Sequence, residues 1–175
     1  MKVGLALALL FASASSQALA GNPPGPYEST GQFAGSYLCI GEASGGVTYD
    51  SNLKRWQPHS FSLSKSVVTV TAERVRDAQL NVHTYPAMQY AITVRFVVGG
   101  PTENCAPKIQ NQSFDSGTQP ILFEGFAYCH ALGEDYTFNF ISGRYDKMNS
   151  GSYTEGQDQQ EGAGYIEIGE CSRIN

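Results

Sequence analysis

Several segments after residue 36 alternate apolar and polar side chains with a period of two, the spacing of half-buried strands. The clearest case is Tyr90 to Val98. Tyr90, Ile92, Val94, Phe96 and Val98 fall on one face, and Ala91, Thr93, Arg95 and Val97 on the other, before Gly99-Gly100-Pro101 ends the run. Ser36 to Glu42 reads as the first strand. Gly45-Gly46 opens a short segment to Tyr49, which turns at Asp50-Ser51-Asn52 into Leu53 to Gln57. Phe61 to Ala72 changes phase between Leu63 and Val68, the mark of a bulge or of two shorter strands. Glu73 to Leu80 has some helical propensity but no obvious cap, so a turn or a single helical turn is expected there. Thr102 to Pro120 is polar and reads as a long loop. Ile121 to Ala131 and Tyr136 to Tyr145 form a second hairpin across Leu132 to Asp135, with Phe138 and Phe140 inward, and Tyr165 to Cys171 is the last strand. Seven or eight short strands predict an all-β domain, a small antiparallel β-barrel or β-sandwich.

The first twenty residues follow a different pattern. Lys2 precedes an apolar run from Val3 to Ala14, then a polar patch ending in Ala18-Leu19-Ala20, the order that a signal peptidase reads. The run has about a dozen residues, against roughly 20 for a membrane-spanning helix. Residues 1–20 are therefore expected to be a secretory signal, residues 21–35 a flexible Gly/Pro/Ser-rich lead-in, and residues 36–175 one β domain, secreted or periplasmic and without a membrane anchor after processing. Cleavage removes one Lys and no acid, moving the formal charge from −5 to −6. An acidic chain with scattered Lys and Arg has no footprint for nucleic acid or anionic lipid.

Cys39, Cys105, Cys129 and Cys171 form an even set in an exported context, which predicts two disulfides. Of three pairings, Cys39 with Cys171 and Cys105 with Cys129 is preferred, because first and last strands often neighbour each other in closed β architectures. The smallest cysteine spacing is 24 residues, unlike the close pairs of a zinc site. No metal and no cofactor are expected.

The chemistry-bearing candidates have plainer explanations. Gly41-Glu42-Ala43-Ser44-Gly45-Gly46 lacks the spacing of a serine-hydrolase elbow and reads as glycines at a turn. His59, His83 and His130 are dispersed, and His130 adjoins a cysteine expected to be oxidised. Glu124 sits in an otherwise apolar hairpin and is expected to face solvent. Asp146 to Gly164 is polar, glycine-rich and acidic, without the twelve-residue calcium pattern. Ten Tyr and nine Phe accompany a single Trp56, and Tyr145, Tyr153 and Tyr165 bracket or sit in that loop. They are the candidate binding residues, since loop tyrosines supply rigid contact surface. Asn111-Gln112-Ser113 fits a glycosylation sequon, relevant only in a eukaryotic secretory pathway.

Tyr37-Leu38-Cys39, Ser44 to Tyr49, Trp56 and Ile168-Gly169-Glu170-Cys171 together resemble small exported proteobacterial proteins of unassigned function. The resemblance covers the two ends of the mature domain and implies a periplasmic or secreted β domain, with no activity. Ser44-Gly45-Gly46-Val47-Thr48-Tyr49 and Trp56 also resemble the Ser-Gly-x-x-Tyr and Trp elements of periplasmic C-type lysozyme inhibitors. In this chain the cysteine lies five residues before the serine, whereas that family places most of a sheet between them. The expected function is a non-catalytic binding or inhibitory module for a protein or small ligand. The alternatives are a calycin-like carrier of an apolar ligand and a hydrolase with a dispersed active site.

Overall fold

A computed structural model describes residues 25–80, 83–108, 117–149 and 163–174. The signal segment, Tyr153 and the sequon at Asn111 lie outside them. The described residues form an all-β structure of eleven strands: β1 Gly35–Asp50, β2 Arg55–His59, β3 Lys65–Leu80, β4 His83–Phe96, β5 Glu103–Asn104, β6 Ala106–Pro107, β7 Thr118–Pro120, β8 Phe126–Ala131, β9 Glu134–Asn139, β10 Arg144–Asn149 and β11 Ala163–Arg173. They make one antiparallel sheet in the order β5-β4-β3-β1-β11-β10-β9-β8-β6, with β2 on β1 and β7 on β4. β5 and β6 are the two ends of that path, yet only Cys105 separates them in the chain. The ladder is not a closed ring, and pairing alone selects neither barrel nor sandwich.

Both expected disulfides are present. Cys39 and Cys171 are direct cross-strand partners on β1 and β11, the first and last long strands, and Cys105–Cys129 ties the β5–β6 segment to β8. By the chain-entropy estimate, loops of 132 and 24 residues contribute about 5 and about 3.5 kcal/mol. Tyr90, Ile92 and Val94 are buried as their alternation predicts, in one core with Phe33, Tyr37, Val68, Val70, Tyr136 and Phe138.

Several boundaries differ from expectation. Gly45 and Gly46 are not at a turn: β1 runs unbroken for 16 residues, bulged between Gly41 and Ala43. Glu73 to Leu80 is not helical but extends β3, pairing with β4 from Val75↔Met88 to Leu80↔His83. Helix propensity differences of a few tenths of a kcal/mol per residue do not outweigh a continuous ladder. β1 covers β3 only from Lys65 to Val70, and beyond Val70 the partner of β3 among the described residues is β4. The phase change expected between Leu63 and Val68 arises because Leu63 precedes β3 and is exposed. β4 ends at Phe96, and Val98 is 96% exposed where Gly99 and Gly100 take positive φ. The described residues of Thr102 to Pro120 contain three short strands rather than loop alone. Ile121 is buried ahead of β8 rather than within it, and the stretch Tyr136 to Tyr145 is two strands. The Asn139 side chain accepts the amides of Ile141 (3.1 Å) and Ser142 (2.9 Å), and Gly143 takes φ +68°, which closes the turn between them.

Candidate functional site

Inward positions of β9, β10 and β11 carry charge where a core would carry hydrocarbon. Register places Lys147 opposite Tyr136 on β9 and Glu167 on β11. Its ammonium donates to both oxygens of Glu134, at 3.2 and 3.0 Å, and lies 3.9 Å from Glu167 Oε1. It also sits 5.4 Å from the Phe96 ring centre and 5.5 Å from that of Tyr165, a desolvated cation–π arrangement. The three charged side chains are 4%, 9% and 1% exposed, so water does not compensate them. Tyr136 donates to Glu134 (2.8 Å) and Tyr145 to Glu167 (2.8 Å), while Ser64 gives Glu167 its amide (2.9 Å) and its hydroxyl (2.6 Å). Burial first, then the neighbouring carboxylates, push both tyrosine hydroxyls far above their ordinary pKa. Gly41 makes room for this network: a Cβ there would stand 2.8 Å from the Glu167 carboxyl carbon. At Gly169 a Cβ would run into the Ile40 carbonyl and approach Tyr145 Cε1 to 2.7 Å. Each charge is bonded within the cluster, which therefore holds β9–β11 and the β2–β3 connection in register.

The second polar centre forms the floor of a cleft. Residues 25–32 precede β1 and lie against β4 and residues 121–123, fastened by Met88 N to Glu28 O (2.8 Å), Glu28 N to Ile121 O (3.0 Å) and Phe123 N to Pro26 O (2.8 Å). The Glu28 carboxylate, 2% exposed as a residue, accepts the amide and hydroxyl of Thr30, the amide of Gly31 and the hydroxyl of Tyr90. Burial alone would raise its pKa, but those hydrogen bonds outweigh burial and hold it below the ordinary carboxylate value. Above this floor opens a cleft of about 540 Å³, walled by Tyr27, Tyr85 and Phe123 and edged by Ser29, Gln32 and Thr84.

Comparison with protein-family models, curated proteins and solved structures finds no match to this chain.

Of the three candidate tyrosines, two lie among the described residues, and both border the buried ion cluster from opposite sides of the Lys147–Glu167 pair. Tyr145 is 4% exposed with its hydroxyl on Glu167. Tyr165 is half-buried, its ring over Lys147 and 5.0 Å from Phe61. Residues 150–162, Tyr153 among them, lie outside the described residues, while Asp146 to Asn149 belong to β10 and Ala163 and Gly164 to β11. The outer face behind them carries Met148, Ile166 and Ile168, at 41%, 45% and 49% exposed. A shallow groove of about 310 Å³ runs past Met148 and Ile166 beside Gly45 and Val47. Ser44, from the hydrolase-like run, donates to Phe61 O at 2.5 Å, and Glu124 is exposed in a turn. His130 is exposed on β8 with Nδ1 2.7 Å from Asp135, which also pairs with Lys108. Among the described residues no cluster of His, Cys, Asp or Glu is placed to hold a metal, and no helix is long and apolar enough to cross a membrane.

Proposed function

We propose that the mature chain is an exported, non-catalytic binding module that takes a small ligand in the cleft above Glu28. The cleft itself carries this reading. It is concave, of the size that ligand sites occupy, and its walls are fixed by backbone hydrogen bonds before any ligand arrives. The carboxylate beneath it is already saturated by four donor groups, which suits a floor better than a proton-transfer group. Export rests on the order of residues 1–20 and is supported by the two disulfides. An apolar carrier is disfavoured because the inward side chains, Tyr90, Phe138 and Ile92 among them, are packed into one buried core cluster.

Saturation-transfer NMR with a fragment library tests the reading. Hits should disappear in Thr84→Trp, which fills the cleft from an exposed position, while the thermal midpoint stays within a few degrees, and the fragments should be recovered unchanged. Hits that survive Thr84→Trp would place binding elsewhere. A second reading, recognition of a protein through the outer face, is favoured by the exposed Met148, Ile166 and Ile168. Ile166→Glu and Ile168→Asp would weaken that interaction and leave fragment binding intact.

A further inference from the structure

We infer that the ligand of this cleft is a neutral, polyhydroxylated ring compound, a saccharide rather than an anion or a purely apolar molecule. The inference rests on the binding reading above and adds the chemical class. Three features of the walls select it.

The first is aromatic placement. Tyr85 and Phe123 stand on different elements, β4 and the 123–125 turn, and both face the cleft. Phe123 is 56% exposed, beside Glu124 on that turn. The Tyr85 ring is held by the backbone at Gly25, where a Cβ would lie 2.8 Å from Tyr85 Cδ1, so any larger residue would push the ring aside. Flat rings of this kind pack against the C–H face of a sugar at low entropic cost.

Polarity is the second feature. The hydrogen-bonding side chains on the rim are Ser29, Gln32 and Thr84, all exposed and uncharged, and they suit hydroxyl groups arranged around the edge of a ring. A purely apolar ligand would leave these groups desolvated without partners.

The third is charge. Among the described residues no Lys, Arg or His lines the cleft, and the ionised group beneath it is Glu28, held as a carboxylate by neutral donors rather than by a cation. Arg173 commits its guanidinium to the carbonyl oxygens of Gln32 and Ala34. An anionic ligand would enter against a fixed negative charge in an acidic chain, whereas a neutral one pays no such penalty.

The test is calorimetric titration of the folded, exported protein with three probes: a neutral glucose or N-acetylglucosamine oligomer, an oligouronate of the same length, and a medium-chain fatty alcohol. A neutral oligomer should bind at least tenfold more tightly than the oligouronate. Phe123→Ala, a surface change that leaves the fold intact, should weaken it at least fivefold, and Thr84→Trp should abolish it. Preferential, Thr84→Trp-sensitive binding of the oligouronate or the fatty alcohol would overturn the saccharide assignment and keep the cleft as a binding site. Loss of every Thr84→Trp-sensitive signal, fragment hits included, would overturn both.

Discussion

Replacing Lys147 by Met tests whether the buried ion cluster holds the sheet together. The substitution keeps length and apolar bulk but leaves the Glu134 and Glu167 carboxylates, 9% and 1% exposed, without their ammonium. Breaking a buried pair by removing one partner costs about 3–5 kcal/mol, because the remaining charge is desolvated and unpaired. The ammonium touches Glu134 through both oxygens at 3.2 and 3.0 Å and two aromatic rings besides, so the upper half of that range is expected. In a domain of this size each kcal/mol moves the thermal midpoint by roughly 2–4 °C, giving a fall of about 8–20 °C by circular dichroism. The informative comparison is the double variant Lys147→Met with Glu134→Gln, in which the amide oxygen still accepts the Tyr136 hydroxyl while one orphaned charge is gone. It should be more stable than Lys147→Met alone by at least about 1 kcal/mol, a coupling visible only if the two groups interact. A loss below about 1 kcal/mol in the single variant, or simple additivity in the double, would refute the reasoning.

Glu28→Gln should cost about 2 kcal/mol at pH 7, since hydrogen bonds to a charged acceptor are lost and the amide cannot accept on both sides. Because the native pKa of Glu28 is lowered, its contribution is full above the ordinary value of 4.5 and is lost as pH falls through the native one, so urea titrations of the two proteins should converge only in acid below pH 4.5. Gly169→Ala should destabilise by about 3 kcal/mol, because its Cβ meets the immovable Ile40 carbonyl. Gly41→Ala should cost about half as much, because it meets the Glu167 side chain, and equal losses in chemical denaturation would contradict the assigned contacts. Gln119 is 1% exposed with neither amide atom bonded among the described residues, so Gln119→Met should raise stability by about 1–2 kcal/mol, and a decrease would show that the amide is satisfied in solution.

Much of the fold was legible because strand periodicity is local. Tyr90, Ile92 and Val94 declare a buried face in five residues, and an even cysteine count gave both disulfides once the first and last strands were placed side by side. The errors fall where a distant partner decides the outcome. Glu73 to Leu80 reads as weakly helical in isolation and becomes strand because His83 to Met88 offers it a ladder. Gly45-Gly46 reads as a turn because glycine usually punctuates strands. Here Gly46 is in mid-strand because the Gly164 carbonyl of β11 occupies the place a Cβ would take, a contact across more than a hundred residues.

The polar centres show a different limit. Alternation alone puts Glu134 with Tyr136, Lys147 with Tyr145, and Glu167 with Cys171 on inward faces, so the sequence does hold a signal for three buried charges. An isolated charge on an apolar face is expensive, and the economical reading moves it to solvent. Only the register of β9, β10 and β11, and a Ser64 that reaches Glu167 from 103 positions away, shows that the charges neutralise one another. The cleft is less legible still. Glu28, Tyr85 and Phe123 belong to three segments with no shared pattern, two of them read as lead-in and hairpin. Glu28 has short-range partners in Thr30 and Gly31, an acid followed two and three residues later by amides it can accept. That local motif would have placed a buried carboxylate in the lead-in, but its use as the floor of a ligand site follows only when β4 supplies Tyr90 from the other side.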